Sequence, residues 1–309
     1  MKTYNFTSVS AFHLLDFSKD PDLQPILFGL FLSLYLVTVL GNLLIILAVI
    51  YDSHFHTPMY FFLSNLSMAD ICFISTTVTK MTVDSLTQSR VISYVGCLIQ
   101  MNFFIICMCM DDMLLTVMAY DRFVATCNPL HYVVIMNPHF CVLLILVSVF
   151  FSFLASQVHN FLALQLTCFK DVKIANFFCH PSQLLMLSCC DTLMKNIVTY
   201  FAGVIFGFFP LAGIIFSYSK IVSSILKIPS SGGRYKAFST CSSHLSVVCL
   251  FYGRGLSVYL SSAVSYSSSK AMVASLMYTV VTPMLNPFIY SLRNKDFSST
   301  LRRLYSGTV

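Results

Sequence analysis

The chain has 309 residues, of which 57% are hydrophobic and only 10% are charged, and its mean hydropathy is +0.80. A water-soluble core cannot enclose that much apolar surface, so the composition predicts a membrane protein. All acidic residues are Asp, and the formal net charge of +6 is spread without a dense Lys or Arg block. This charge pattern excludes a nucleic-acid-binding protein.

The first 24 residues are polar and include Asp16, Asp20 and Asp22. The apolar run that follows them is too long for the apolar region of a secretory signal peptide. We therefore expect no cleavable signal and expect this run to remain in the membrane as the first span.

Seven apolar stretches follow, each of about the 20 residues that cross a bilayer core. Backbone groups in hydrocarbon must bond within their own segment, and the stretches lack the alternation of a barrel strand. The sequence therefore predicts an all-α membrane protein, a seven-transmembrane helix bundle over residues 25–292. We expect an extracellular N-terminus at 1–24, a cytoplasmic tail at 293–309, and a loop over roughly 163–195. The predicted spans are 25–50, 58–79, 96–121, 140–162, 197–222, 237–260 and 271–292.

The orientation in the membrane is predicted from local features, because Lys and Arg are almost equally divided between the two sides. Asn5 begins the glycosylation sequon Asn-Phe-Thr, which is modified only on the lumenal side. Basic residues crowd one loop, which we expect to be cytoplasmic. They are Lys220, Lys227, Arg234 and Lys236.

Most of the 12 cysteines lie in or beside the spans, where they act as small packing residues. No pair of CxxC units exists, and the adjacent Cys189 and Cys190 suit neither a zinc site nor a mutual disulfide. We expect no metal centre of this kind. The packing cysteines are Cys72, Cys107, Cys109, Cys127, Cys141, Cys241 and Cys249.

Several charged residues lie in or at the ends of the predicted spans, where charge is costly unless it is paired. Asp70 and Asp111 could share a cation, such as sodium, or a proton. Alternatively, they could be neutral acids whose hydrogen bonds join helices. Asp112 follows in the third span. Asp121 and Arg122 end that span and could be a simple pair that reaches the membrane surface.

Several segments, in order and at matching spacing, closely resemble the odorant receptors, a family of rhodopsin-like G-protein-coupled receptors. The resemblance covers about residues 5–305. Its main segments are MAYDRFVATCNPLHY at 118–132, HTPMY at 56–60, KAFSTC at 236–241 and PMLNPFIY at 283–290.

The resemblance implies an odorant receptor of the plasma membrane and not an enzyme. Its partners would be a small, mostly hydrophobic volatile ligand, membrane lipid and a stimulatory, olfactory-type heterotrimeric G protein that raises cyclic AMP. No cofactor is implied. A silent receptor of the same fold remains an alternative, as does a multi-span transporter, although no inverted repeats are visible.

The resemblance also implies roles for individual residues. It pairs Cys97 with Cys179 and Cys168 with Cys189 in disulfides. Arg122 would be the ionic switch residue that Asp121 holds at rest. Further activation and coupling residues would be Asp70, Asp111, Tyr218, Lys236, Asn286, Pro287 and Tyr290.

The resemblance implies a ligand site in the outer halves of the third, fifth and sixth spans, beneath the long loop. Phe104, Ile105, Met108 and Asp112 share a helical stripe. The alternative is that these side chains are ordinary bundle packing. The resemblance adds Phe206, Gly255 and Tyr259 as pocket residues and Tyr252 as the pocket floor.

Three residues depart from the family pattern. Val149 stands where a Trp is usual in the fourth span, so we expect a packing loss there. His180 replaces an acidic residue and could alter ligand charge preference or pH response. Arg254 replaces a small residue or Pro. Asp112 is its hypothesised partner, and the alternative is that the Arg254 side chain reaches the membrane surface. In the tail, Phe297, Leu301 and Leu304 have the spacing of a short amphipathic helix.

Overall fold

The computed structural model describes residues 10–15, 21–87, 89–166, 168–174, 176–189, 193–264 and 277–293. The predicted amphipathic tail and Asn5 lie outside these residues. Within them, the chain is almost entirely helical.

Seven long helical rods, two short α-helices and three single-turn 3₁₀ helices lie in the described part of the chain. The fifth rod contains a π-helical segment at Val204–Phe208, and the seventh rod begins with another at Met277–Val281. The helices are α1 Gln24–Tyr51, α2 Pro58–Thr87, α3 Tyr94–Cys127, α4 Tyr132–Ile135, α5 Pro138–Leu164, α6 Pro181–Leu187, α7 Leu193–Gly203, α8 Phe209–Leu226, α9 Ser231–Val264 and α10 Thr282–Arg293.

The predicted spans coincide with these rods. Each of the first six lies within one rod, and the described part of the seventh begins at Met277. Five rods are long and apolar enough to cross a membrane, and α9 contains a shorter apolar stretch at Cys241–Gly253. The all-α prediction is therefore confirmed in class.

Local sequence explains where two of the central helices begin. The Ser93 side chain accepts a hydrogen bond from the Gly96 backbone N–H at 3.0 Å and so caps α3. Asn137 caps α5 in the same way, accepting from Phe140 N at 2.9 Å, and Pro138 occupies the first turn. Both are favoured ways of starting a helix.

Helix α3 is the centre of the bundle, because it packs against α2, α5, α8 and α9. Its side chains contribute to two clusters of buried residues. One includes Phe104 and Phe178, and we call that end of the bundle the long-loop end. The other includes Met118 and Ile221, and we call that end the Arg122 end.

A small sheet, which the sequence did not predict, covers the long-loop end. Strand β1 (Ala11–Leu14) lies between β2 (Val91–Ser93), to which it is antiparallel, and β3 (Lys173–Ile174), to which it is parallel. Phe12 of β1 is completely buried against the rings of Tyr94 and Phe169. The segment before α1 is thus fixed to both loops at this end.

The connection over roughly 163–195, which we expected to be a loop, contains secondary structure. It contains β3 and α6, and two disulfides hold it in place. Cys97 pairs with Cys179 at a Cα–Cα distance of 5.5 Å, and Cys168 pairs with Cys189 at 5.4 Å. Both pairs are those that the family resemblance implied.

The expected packing loss at Val149 is wrong. Val149 is 45% exposed on the outer surface of α5, so its small side chain leaves no void inside the bundle. A smaller residue at this position removes contacts with the surroundings and not with the core.

Helices α1 and α10 approach each other closely at Gly41. A Cβ atom at Gly41 would lie 3.2 Å from the Pro287 side chain, whereas one at Gly29 would meet nothing within 4 Å. The neighbouring Asn42 donates a hydrogen bond to the Pro283 carbonyl at 3.0 Å. The absent side chain at Gly41 therefore permits the helix contact that this hydrogen bond requires.

We predict that Gly41→Val destabilises the protein by about 1–3 kcal/mol, because the added methyl groups overpack the contact with Pro287. Gly29→Val is the matched control, since it makes the same change in helix propensity in α1. Thermal unfolding of the purified protein measures both variants. Equal melting temperatures for the two would contradict the close approach.

Candidate functional site

A cavity of 440 Å³ opens among the helices at the long-loop end. Its walls come from α3, α5, α6, α7, the π-helical segment and α9, and most of the lining side chains are apolar. The lining residues are Phe104, Ile105, Met108, Cys109, Asp112, Ala155, His159, His180, Pro181, Ser182, Thr199, Ala202, Gly203, Phe206, Gly207, Phe251 and Tyr252.

Six of the eight predicted ligand residues line this cavity. Four of them form the α3 stripe, whose spacing places Phe104, Met108 and Asp112 on one face of the helix. Phe206 and Tyr252 complete the six from the π-helical segment and α9. The surroundings of Gly255 and the side chain of Tyr259 lie outside the described part of the structure. The structure thus brings the described members of the predicted set together.

The polar floor of the cavity is a contact between two helices. The Tyr252 hydroxyl of α9 donates a hydrogen bond to the Asp112 carboxyl of α3, which is buried. The hypothesised Asp112 partner, Arg254, has its side chain outside the described residues. A ligand hydroxyl or carbonyl that reaches this floor would meet one phenol and one carboxyl.

Two histidines stand at the opposite, loop side of the cavity. The His180 Nδ1 atom accepts a hydrogen bond from the Ser182 backbone N–H at 3.3 Å and caps α6. Its ring contacts Phe104 and Phe178 edge-on. The His159 Nδ1 atom lies 2.8 Å from the Ala155 carbonyl, so this nitrogen carries the proton.

The surroundings keep the His180 imidazole neutral. Burial, with a further contribution from the nearby His159, lowers the pKa of His180 from 6.5 to about 4. The residue that replaces the family's acidic group therefore adds no positive charge to the cavity at neutral pH.

The π-helical segment widens the backbone where α7 meets α8, and Phe206 and Gly207 of that segment line the cavity. Such segments are often found at functional sites because the extra residue displaces the side chains around it. Nothing in the sequence pattern distinguished this segment from ordinary helix.

Halfway along the bundle, buried amides and carboxyls connect three helices. Asn286 of α10 donates a hydrogen bond to Asp70 of α2 at 2.8 Å. Cys107 of α3 lies within electrostatic range of both Asp70 and Asp111, and both carboxyl groups are buried. Among the described residues, no cluster of three or more His, Cys or Asp side chains could hold a metal ion.

At the Arg122 end, Asp121 is completely buried and is contacted by two side chains. The Tyr132 hydroxyl donates a hydrogen bond to its Oδ1 atom at 2.7 Å, and Arg122 Nη2 lies 3.5 Å from its Oδ2 atom. Arg122 also contacts the Met59 sulfur of α2. The predicted Asp121–Arg122 pair is therefore formed in this conformation.

His244 is a central residue that the sequence analysis missed. The Tyr218 hydroxyl of α8 lies 2.7 Å from His244 Nδ1, and His244 Nε2 donates to the Leu115 carbonyl of α3 at 3.0 Å. One imidazole thus joins α3, α8 and α9, with Tyr290 also buried in the same cluster. A histidine within the apolar stretch 237–260 was the available signal.

We predict that the protein loses more thermal stability than its His180→Asn variant when the pH falls from 7 to 5. Unfolded chains bind a proton at His180 near pH 6.5, whereas the folded protein binds it only near pH 4, so acid favours unfolding in this window. Asn keeps the helix cap and removes the titration. We expect a difference of about 2 °C in the fall of the melting temperature. Equal falls in both proteins would contradict the prediction.

Comparison with known proteins identifies the family. A family model described as "Olfactory receptor" matches residues 31–307. The chain is 70% identical over 305 residues to Olfactory receptor 7E24 of Homo sapiens, which covers 99% of this chain and 90% of the relative. It is 66% identical to Olfactory receptor 7E178 of Mus musculus, over 99% of this chain and 92% of the relative. The chain therefore belongs to the olfactory receptor family and is a seven-span membrane receptor, not an enzyme.

Proposed function

We propose that a small, mostly hydrophobic volatile molecule binds in the cavity at the long-loop end. Its binding would activate a stimulatory, olfactory-type heterotrimeric G protein and so raise cyclic AMP. The observation that carries the proposal is the floor of the cavity, where Tyr252 is hydrogen-bonded to Asp112. This contact joins α3 and α9, and Arg122 lies at the far end of α3.

The lining of the cavity supports an apolar ligand with one hydrogen-bonding group. Its volume of 440 Å³ lies in the usual range for small-molecule sites, and most of its lining side chains are apolar, among them Phe, Ile, Met and Ala. The neutral His180 offers a hydrogen bond without positive charge. Burial of apolar ligand surface supplies the affinity, and the polar groups orient the molecule.

The proposed transmission step runs along α3 and α9. A ligand that contacts both Asp112 and Tyr252 changes how these helices pack, since their hydrogen bond competes with the ligand's own. At the Arg122 end, the same two helices are joined through His244 and Leu115. Movement of α9 would therefore strain the His244 contacts and release Tyr218 from its hydrogen bond with His244.

Arg122 is the residue we propose to contact the G protein after this release. At rest, Asp121 and Met59 hold its guanidinium. Beside it, Leu130, Val133 and Val134 of the next segment are 93%, 79% and 73% exposed. Exposed apolar patches mark protein-binding or membrane-binding surfaces, and the position beside Arg122 supports a protein-binding role. The basic Lys220 and Lys227 are exposed on the neighbouring α8 and its C-cap, and Lys236 lies in the second turn of α9 with its side chain outside the described residues.

We further propose the plasma membrane as the location, with the N-terminus outside and the C-terminus in the cytoplasm. Strand β1 follows the N-terminal segment and lies at the same end as both disulfides. Disulfides persist on the oxidising, extracellular side. In this orientation the Asn5 sequon would lie where glycosylation occurs, and Arg122 would lie on the cytoplasmic side.

Asp70 and Asp111 are proposed to form a sodium or proton site whose occupancy differs between the resting and active states. The Asn286 hydrogen bond to Asp70 supports this role, because it places the site against the Asn286-Pro287 segment of α10. Pro287 removes a backbone donor inside that helix and so eases local rearrangement. Tyr290 follows one turn later and would move with it.

Filling the cavity tests the proposed ligand site. We predict that Met108→Trp abolishes the cyclic-AMP response to any odorant, from a broad panel, that activates the native chain, because the larger ring occupies ligand space. Phe103→Trp is the matched control, since Phe103 is 49% exposed on the outer face of α3. Cyclic AMP is measured in cells with surface expression confirmed. No response of the native chain across the panel would count against the proposed function.

We predict that Tyr132→Phe raises ligand-independent cyclic AMP, because it removes one hydrogen bond that holds Asp121. A hydrogen bond to a charged group contributes about 1.5–3 kcal/mol, enough to shift the resting balance about tenfold. Arg122→Ala should remove both basal and ligand-dependent signals. Basal activity of Tyr132→Phe no higher than that of the native chain, at equal surface expression, would contradict the role of Asp121.

A further inference from the structure

A second cavity, of 550 Å³, lies at the Arg122 end and is larger than the proposed odorant site. It is bounded by the end of α1, the start of α2, α4 and the start of α5. We propose that one acyl chain of a membrane phospholipid occupies this cavity and that the bound chain favours the resting receptor. Its main walls are Phe55, Phe61, Tyr132, Met136, Cys141 and Val142.

The chemistry of the walls selects an apolar occupant. The described lining contains no Lys, Arg, Asp or Glu side chain. Water in such a cavity would find too few of the two to four polar partners that it needs. An empty cavity would forfeit the dispersion contacts of every side chain around it. A hydrocarbon chain satisfies both conditions.

The position of the mouth identifies the source of that hydrocarbon. Phe61 and Val142 on the lining are 36% and 47% exposed. On α5, Val142 is followed by Leu143 and Leu146, which are 52% and 59% exposed. This helix is long and apolar enough to span the membrane. The opening is therefore continuous with the lipid-facing surface, where phospholipid chains are the most concentrated apolar molecules. Mass action favours them as the occupant.

The polar rim of the cavity fits a phospholipid headgroup. His56 and Thr57 line the cavity and are exposed where the connection between α1 and α2 meets the membrane boundary. A hydroxyl and an imidazole can donate hydrogen bonds to phosphate or ester oxygens. The acyl chain would then extend from this rim between α2 and α5.

One wall residue connects the cavity to the proposed switch. The Tyr132 ring lines the cavity, and its hydroxyl donates to Asp121 at 2.7 Å. An acyl chain packed against this ring keeps the hydroxyl beside Asp121. Departure of the chain frees the ring and weakens the hold on Asp121. This regulatory half of the proposal rests on the proposed function, whereas the binding site itself does not.

Photo-crosslinking tests the binding site directly. The purified full-length receptor is placed in nanodiscs of phosphatidylcholine that carries a diazirine in the middle of one acyl chain. Cys141→Phe fills the cavity, and Val142→Trp narrows its mouth without entering the buried core. Val147→Phe is the control, because Val147 is 37% exposed on the same helix, away from the cavity.

We expect the lipid probe to label the segment 132–142 of the native chain. Relative to the native chain, we expect about fivefold less labelling of this segment in Cys141→Phe and Val142→Trp and the same labelling in Val147→Phe. If Cys141→Phe does not fold, Val142→Trp decides. Labelling of this segment that is equal in the native chain and Val142→Trp would overturn the lipid site.

Basal nucleotide exchange on a purified stimulatory G protein tests the regulatory half. We expect Val142→Trp to raise basal exchange about threefold, and to raise it no further in a Tyr132→Phe background, since both changes act through one contact. If Val142→Trp leaves nucleotide exchange unchanged, or if its effect adds to that of Tyr132→Phe, the proposed regulation is overturned. The proposed lipid-binding site is not affected by either result. No exchange by any variant, together with normal lipid labelling, would refute the proposed G-protein coupling and not the lipid site.

Discussion

A polar side chain buried in a bilayer must find its partner within the protein, because hydrocarbon offers it none. In this receptor, α3 carries much of that requirement. Asp112 is bonded to Tyr252, the Leu115 carbonyl accepts from His244, and Asp121 is bonded to Tyr132. Two of these contacts fix α3 against α9, and the third fixes it against α4. The helices therefore cannot shift relative to one another without exchanging specific polar partners, and such exchanges favour discrete states over gradual deformation.

This arrangement relates the two ends of the bundle. The proposed odorant cavity lies against the α3 turns at the long-loop end, and the proposed lipid cavity lies against Tyr132, which contacts the last turns of the same helix. A ligand at either end would act by stabilising or releasing a contact made by α3. The long-loop end is the more rigidly closed of the two, because a sheet and two disulfides fix its connections. We infer that the free energy of ligand binding mainly alters helix contacts at the Arg122 end.

The spans and the ligand stripe could be predicted because both depend on local patterns, namely apolar length and helical spacing. The sheet could not, because Phe12 pairs with residues about 80 positions away and its strands are only two to four residues long. The contacts of His244 depend on the packing of three helices. The neutral state of His180 depends on burial by Phe104 and Phe178. Val149 was misjudged because apolar composition alone does not show which face of a span meets lipid.

The distance between the Arg122 end of α3 and the start of α9 tests the proposed switch most directly. Spin labels at Leu130 and Arg234 report this distance by pulsed electron paramagnetic resonance in a receptor reconstituted in nanodiscs. We expect an activating odorant with a stimulatory G protein to lengthen it by about 5 Å, the scale of one helical turn. A distance distribution that stays unchanged while the G protein exchanges nucleotide would contradict a switch based on exchanged polar partners.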